Sequence, residues 1–283
     1  MQMGGSYAMQ LGIFAKIFVR PTIEETLDAV RALGVDCLHF NMMCLGGPSM
    51  PDEIDPALCR RVRDAMTSRG LKMASISGTF NLIHPERARR HDGLRRLSVL
   101  AAACKLLDVS IVTLSTGTRD PDDMWRRHAD NDRPEAWRDL VESLGEALAI
   151  AEDSAVTLAF EPEVANVIDS AEKGRRLLDE MQSDRLKVVM DAANLFHVGQ
   201  LPRMHEVLDE AFSLLGPDVV LAHAKDLNRD GEAGQEAAGT GLLDYDYYIS
   251  LLEQSGFKGP LLLHSLAESQ ARQCVAFLRE KLG

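Results

Sequence analysis

Four short apolar runs in this chain each end on a charged or imidazole residue. VTLAFE closes on Glu161, LKVVMD on Asp191, VVLAH on His223 and PLLLH on His264. Runs this short, rich in Val, Leu and Ala and bounded by loop residues, are the signature of strands buried on both faces. Helix-period segments separate them, so the chain alternates β and α units. In a closed eight-fold (β/α) barrel the carboxyl ends of all strands meet at one mouth, which is where such barrels carry their sites. Glu161, Asp191, His223 and His264 would then point at a common spot, a combination suited to a divalent metal.

The rest of the chain fits that plan. Strands are expected over 11–18, 37–41, 72–77, 110–115, 156–161, 186–191, 219–223 and 260–264. Each precedes a helix: 21–33, 56–69, 85–107, a segment ending near 153, 170–181, 202–215, 245–254 and 268–282. Thr22 is a ready cap for the first helix, with Glu24 and Glu25 in its first turn. Segments entering strands are tight (LGVD, SRGLK, LDVS, GFKG), whereas those leaving them are long, the asymmetry of a barrel with one working face. A doubly wound open sheet would usually place a Gly-rich turn after its first strand, and IFAKIFVRPT has none. No linker divides the chain. The 283 residues therefore read as a single-domain (β/α)8 TIM barrel spanning 1–283, for which about 250 residues is typical.

Charge narrows the partners. A net charge of −12 argues against nucleic acid, because phosphate neutralisation needs clustered Lys and Arg. The Arg pairs at 60–61, 89–90, 95–96 and 126–127 fall mostly in helical segments and read as a solvated face. The cysteines at 37, 44, 59, 104 and 274 lack CxxC spacing, so reduced thiols are expected rather than a disulfide frame. No stretch reaches the roughly 18 apolar residues of a spanning helix, so no membrane partner is expected. The opening MQMGGSYAMQ does not resemble a signal peptide, and the expected location is cytoplasmic.

Two carboxylates and two imidazoles form a mixed O/N donor set, better suited to Mn²⁺, Co²⁺, Fe²⁺ or Zn²⁺ than to Ca²⁺, with Mg²⁺ admissible. Burying two carboxylates calls for a cation or an equivalent partner. Alone, a strand-end His or Asp is more often a hydrogen-bonded rim residue; four at equivalent positions are harder to read that way. His39, His91, His128, His197 and His205 make weaker cases. Glu161 is a candidate base. Lys225, two residues past His223, is a second proton carrier if a nearby cation depresses its pKa; otherwise it pairs with Asp226 or Glu163 on the rim. His84, after the third strand, lies within reach of the mouth or simply enters the next helix. The long segment 116–137 carries Trp125, Arg126, Arg127, His128 and Asn131, an aromatic beside polar groups that suits a sugar face, a lid or a subunit contact. The GTG at 239–241 could offer backbone N–H groups to a phosphate, although a turn is the simpler reading.

With FEPE (160–163), VMDAANLF (189–196), LAHAKD (221–226) and GTGLLDY…GFKGPLLL (239–263), the chain resembles the xylose isomerase-like TIM barrels. This is the sugar phosphate isomerase/epimerase group, with ketose 3-epimerases, hydroxypyruvate isomerases and inosose dehydratases. The resemblance implies metal positions at Glu161, Asp191 and His223, a substrate-contacting arginine at Arg229, and homo-oligomers. Two positions depart from it. His264 stands where ketose epimerases have a metal-binding, proton-transferring glutamate, and a metal-bound imidazole has no free lone pair to act as base. Asn194 stands where a histidine is frequent, and it can orient a substrate hydroxyl without titrating. The resulting expectation is a metal-dependent isomerase or epimerase of a small sugar or related polyhydroxy carbonyl compound. Glu161 and Lys225 would be catalytic, with His84, Asn194, Arg229 and Trp125 binding substrate. The alternatives are an inosose dehydratase-type lyase or a non-catalytic metal- or sugar-binding relative. A DNA-repair endonuclease on this barrel would need more histidines and a basic groove, which this acidic chain lacks.

Overall fold

The structure, a computed structural model, describes residues 9–283; the reading of the first eight residues lies outside that range. Eight parallel strands close in sequence order, with the last pairing back on the first: β1 (Leu11–Phe14), β2 (Cys37–Phe40), β3 (Lys72–Ser77), β4 (Ile111–Ser115), β5 (Thr157–Glu161), β6 (Leu186–Asp191), β7 (Val219–Ala224) and β8 (Leu261–Leu263). The helices around them are α1 (Ile23–Arg31), α2 (Pro56–Ser68), α3 (Arg87–Leu107), α4 (Pro134–Ser154), α5 (Ala171–Met181), α6 (Met204–Leu215), α7 (Tyr245–Gln254) and α8 (Ala271–Leu282). The single TIM barrel read from the alternation is the fold observed.

Local chemistry sets the helix starts. Thr22 and Glu25 form a reciprocal capping box at α1. Asp55 caps α2 just before Pro56, Ser170 caps α5 and Asp244 caps α7. Each such cap stabilises its helix by about 1 kcal/mol. The main departure from expectation is β1, which stops at Phe14 because Ala15–Ile17 tighten into a 3₁₀ turn. Phe18 then folds back into the core at 4% exposure, so the apolar spacing of IFAKIF fits a turn as well as a longer strand.

Two apolar layers hold the barrel. The larger lies between strands and helices. The smaller fills the barrel itself and contains Cys37, Ala159, Val189, Leu221 and Leu262. Side chains on a strand alternate faces, so Ala159, Val189, Leu221 and Leu262 put Glu161, Asp191, His223 and His264 on the inward side one step nearer the mouth. Closure is tight at the seam: a Cβ on Gly12 would lie 2.5 Å from Leu262 Cδ2 and 2.7 Å from the Cys37 carbonyl oxygen. A register shift between Val188 and Val189 sets Asp191 directly opposite His223.

Candidate metal centre

Glu161, Asp191 and His223 each bring one ligand atom into a group whose atoms all lie within 4.8 Å of one another. His223 Nδ1 stands 3.4 Å from Glu161 Oε2 and 3.6 Å from Asp191 Oδ2. Both contacts are ion pairs without hydrogen-bond geometry, and Asp191 Oδ2 and both His223 ring nitrogens are buried with no hydrogen-bond partner. Buried polar atoms are normally satisfied, so this cluster is incomplete as an all-protein arrangement. Two carboxylate oxygens and one imidazole nitrogen, mutually close, with the Asp191 oxygen and the imidazole left unsatisfied, fit a divalent cation.

The surrounding structure fixes these groups. Asp191 Oδ1 accepts a hydrogen bond from the Ala193 N–H at 3.1 Å. Asn194 donates from Nδ2 to Glu161 Oε1 at 2.5 Å, while its Oδ1 accepts from the Gly234 N–H. Beneath them, the buried Tyr248 hydroxyl reaches the carbonyl oxygens of Met190 at 3.0 Å and His223 at 3.1 Å, and the Tyr245 hydroxyl donates to the Lys225 carbonyl. Helix α7 thus pins the ends of β6 and β7 from outside, a support the alternation of apolar residues could not reveal.

Electrostatics are set by crowding. Burial lowers the His223 pKa, but the Glu161 and Asp191 carboxylates more than reverse this and push it up to about 9. Burial raises Asp191, yet Lys225 and His223 bring it below its ordinary value. Lys225 is buried with Nζ 3.4 Å from Asp191 Oδ2. Burial favours its neutral form, but Asp191, Glu161 and Glu163 raise its pKa, so it keeps its proton here. Its partner is Asp191, neither Asp226 nor Glu163; the depression expected of it would come from a bound cation, and the carboxylates by themselves act in the opposite direction.

Glu163 was passed over as a reacting group. It is 7% exposed, and no hydrogen bond or ion pair to its carboxyl occurs among the described residues. Burial, reinforced by Glu161 and Asp191 and partly offset by Lys225, pushes its pKa up to about 7. The signal was present in FEPE, but Pro162 carries the chain past the end of β5, where alternation no longer predicts direction.

His264 does not join the three-residue group. Ser265, at φ +50°, turns the chain immediately after β8, and His264 Nδ1 bonds Ser265 Oγ at 2.9 Å. Its ring instead stacks on His223, centroids 4.8 Å apart, and on Phe14 at 5.0 Å. His39 completes this wall: its ring meets Phe14 edge-on at 4.3 Å and His223 at 6.2 Å, and its Nδ1 contacts Ser75 Oγ at 2.5 Å. Burial first, then the charge on His223, holds both imidazoles well below their ordinary pKa and therefore neutral.

The other candidates lie farther out. Both His84 ring nitrogens are committed, Nδ1 accepting from the Glu86 N–H and Nε2 lying 3.1 Å from the Pro121 carbonyl oxygen. It therefore ties two loops together. Arg229 has a 76% exposed side chain paired with Glu232. Trp125 is 55% exposed on the loop after β4. That loop is strapped down by Asp120–Arg126, Arg127–Asp169 and the hydrogen bonds of Asn131. Gly239, at φ +82°, donates its N–H to Asp226 Oδ2, so the GTG segment is a turn.

Fold and cluster together define a (β/α)8 barrel whose polar site is assembled from the ends of β5, β6 and β7. The chain belongs to the xylose isomerase-like TIM barrel family, whose profile matches residues 27–281. Solved structures share the fold. A D-tagatose 3-epimerase-like protein superposes with TM-score 0.77 at 13% identity, covering 97% of each chain. An L-ribulose 3-epimerase gives 0.75 at 17% identity, covering 97% of this chain and 94% of its own. The 3-keto-D-glucoside 4-epimerase YcjR from E. coli gives 0.72 at 17% identity, covering 96% and 99%. At these identities the likeness establishes the fold alone. No curated protein matches in sequence. No helix among the described residues is long and apolar enough to cross a membrane.

Proposed function

We propose that this protein is a divalent-cation-dependent isomerase or epimerase of a small sugar or related polyhydroxy carbonyl compound. The observation carrying this reading is the convergence of Glu161, Asp191 and His223, with Asp191 Oδ2 and both His223 ring nitrogens buried and unsatisfied. Family membership and the sugar epimerases sharing its fold support the substrate class. The three residues would hold Mn²⁺, Co²⁺, Fe²⁺, Zn²⁺ or Mg²⁺. Such an ion, when bound, supplies Lewis-acid polarisation of a substrate carbonyl or hydroxyl.

The chain's own groups then move the proton. A carboxylate removes the proton on the carbon beside the carbonyl, and the same or a second group returns it. Glu161, aimed by Asn194, is one such carboxylate. Glu163, unpaired and facing the same cluster, is the other, filling the role lost where His264 replaces a glutamate. Lys225 keeps its proton, so its part is to offset negative charge on Asp191 and on the developing oxyanion. Asn194, fully buried with its amide taken up by Glu161 and Gly234, aims Glu161 rather than touching substrate, while Trp125 and Arg229 are contacts for a larger substrate at the rim; His84 shapes the loops. On this reading the protein acts in the cytoplasm on a small molecule and forms a homo-oligomer. Glu161→Gln should lower turnover on a ketose panel by at least about a hundredfold with the melting temperature little changed. Unaltered activity would overturn the assignment.

A further inference from the structure

Charge is distributed unevenly around the mouth. The carboxylates Glu161, Glu163 and Asp191 all stand on the β5–β6 side. The β8–β1–β2 side carries no carboxylate of this cluster but the imidazoles His264 and His39 packed on Phe14, with Lys16 Nζ 4.5 Å from the Phe14 ring centroid. Lys16 is exposed, in the 3₁₀ turn directly after β1.

Among the described residues, every other Lys or Arg in the loops leaving the strands has a carboxylate partner. Arg20 has Glu268, Arg119 has Asp139, Arg126 has Asp120, and Arg127 has Asp132 and Asp169. Arg133 pairs with Asp130, Arg203 with Glu206, Lys225 with Asp191 and Arg229 with Glu232. Lys16 has only the aromatic face below it. Among the described residues, this acidic chain pairs every other cation in these loops and leaves Lys16 without a carboxylate beside two imidazoles.

Building on the sugar reading above, we infer that Lys16, with His39 and His264 beside it, forms a subsite for an anionic end group of the substrate, a carboxylate or a phosphate. The two rings of His264 and Phe14 separate Lys16 from His223, each step about 5 Å. That spacing suits a substrate whose charged end lies several atoms from the oxygens held at Glu161, Asp191 and His223. A glutamate at position 264 would repel such a group, whereas an imidazole N–H can donate to it.

The test compares dissociation constants of D-fructose, D-fructuronate and D-fructose 6-phosphate, measured by calorimetry on Mn²⁺-loaded protein. One charged sugar should bind at least about tenfold tighter than fructose, as expected of a charge-assisted contact. Which one does so separates carboxylate from phosphate. Lys16→Met should erase that preference, Lys16→Arg should retain it, and fructose binding should change less than about twofold in either. Fructose binding as tightly as both acids, or a preference that survives Lys16→Met, overturns the subsite and leaves the sugar reading standing. Binding of none of the three overturns both.

Discussion

Loading the site with a cation must displace a proton from His223. In the metal-free protein the Glu161 and Asp191 carboxylates push this imidazole up to about 9, so at pH 7 it is roughly 99% protonated and at pH 8.5 about three-quarters. A metal ligand must be deprotonated; one Mn²⁺ bound at pH 7 should therefore release about one proton from His223. Glu163, pushed up to about 7, is half protonated there and beside a new cation loses that half as well, giving about 1.5 in all. The sign follows directly: apparent affinity rises with pH by about thirtyfold per unit near pH 7, by about tenfold per unit once Glu163 is ionised, and levels off above pH 9. Calorimetric titration in buffers of different ionisation enthalpy counts the protons. Glu163→Gln should bring the count at pH 7 back to about one. Proton release near zero at pH 7 would refute the crowded-carboxylate account of His223.

Two further outcomes follow from the same contacts. Asp191→Ala leaves the Lys225 ammonium buried without its nearest partner, which should cost about 3 kcal/mol in urea denaturation of the metal-free protein; Asp191→Asn removes the same charge and should cost nearly as much, and a near-neutral Asp191→Asn would contradict the ion-pair reading. Asp120, held below its ordinary pKa by Arg126 and the Asp122 and Asp123 N–H groups, anchors the Trp125 loop. Asp120→Asn should speed tryptic cleavage after Arg126 or Arg127 without changing the global melting temperature by more than a few degrees. Its contribution is present above the ordinary carboxylate pKa and is lost only as pH falls through the depressed one.

The strand ends were readable because alternation is strict in a barrel strand. Ala159, Val189 and Leu221 fill the interior, and the next inward positions, Glu161, Asp191 and His223, reach the mouth. That logic fails as soon as backbone leaves the strand. His264 follows β8 at a left-handed turn and stacks on His223, Glu163 lies beyond Pro162, and Lys16 rides a 3₁₀ turn that the apolar spacing could not separate from strand. Lys225 was placed near the site, but its partner depended on the β6–β7 register shift that sets Asp191 opposite His223. Tertiary hydrogen bonds such as Tyr248 to two strand carbonyls leave no periodic trace.

Elemental mass spectrometry of protein purified without chelator, beside Asp191→Asn, tests the central claim most directly. The cluster predicts about one equivalent of Mn, Co, Fe, Zn or Mg in the wild type and its loss in the variant. A metal-free wild type whose melting temperature none of these ions raises would contradict it.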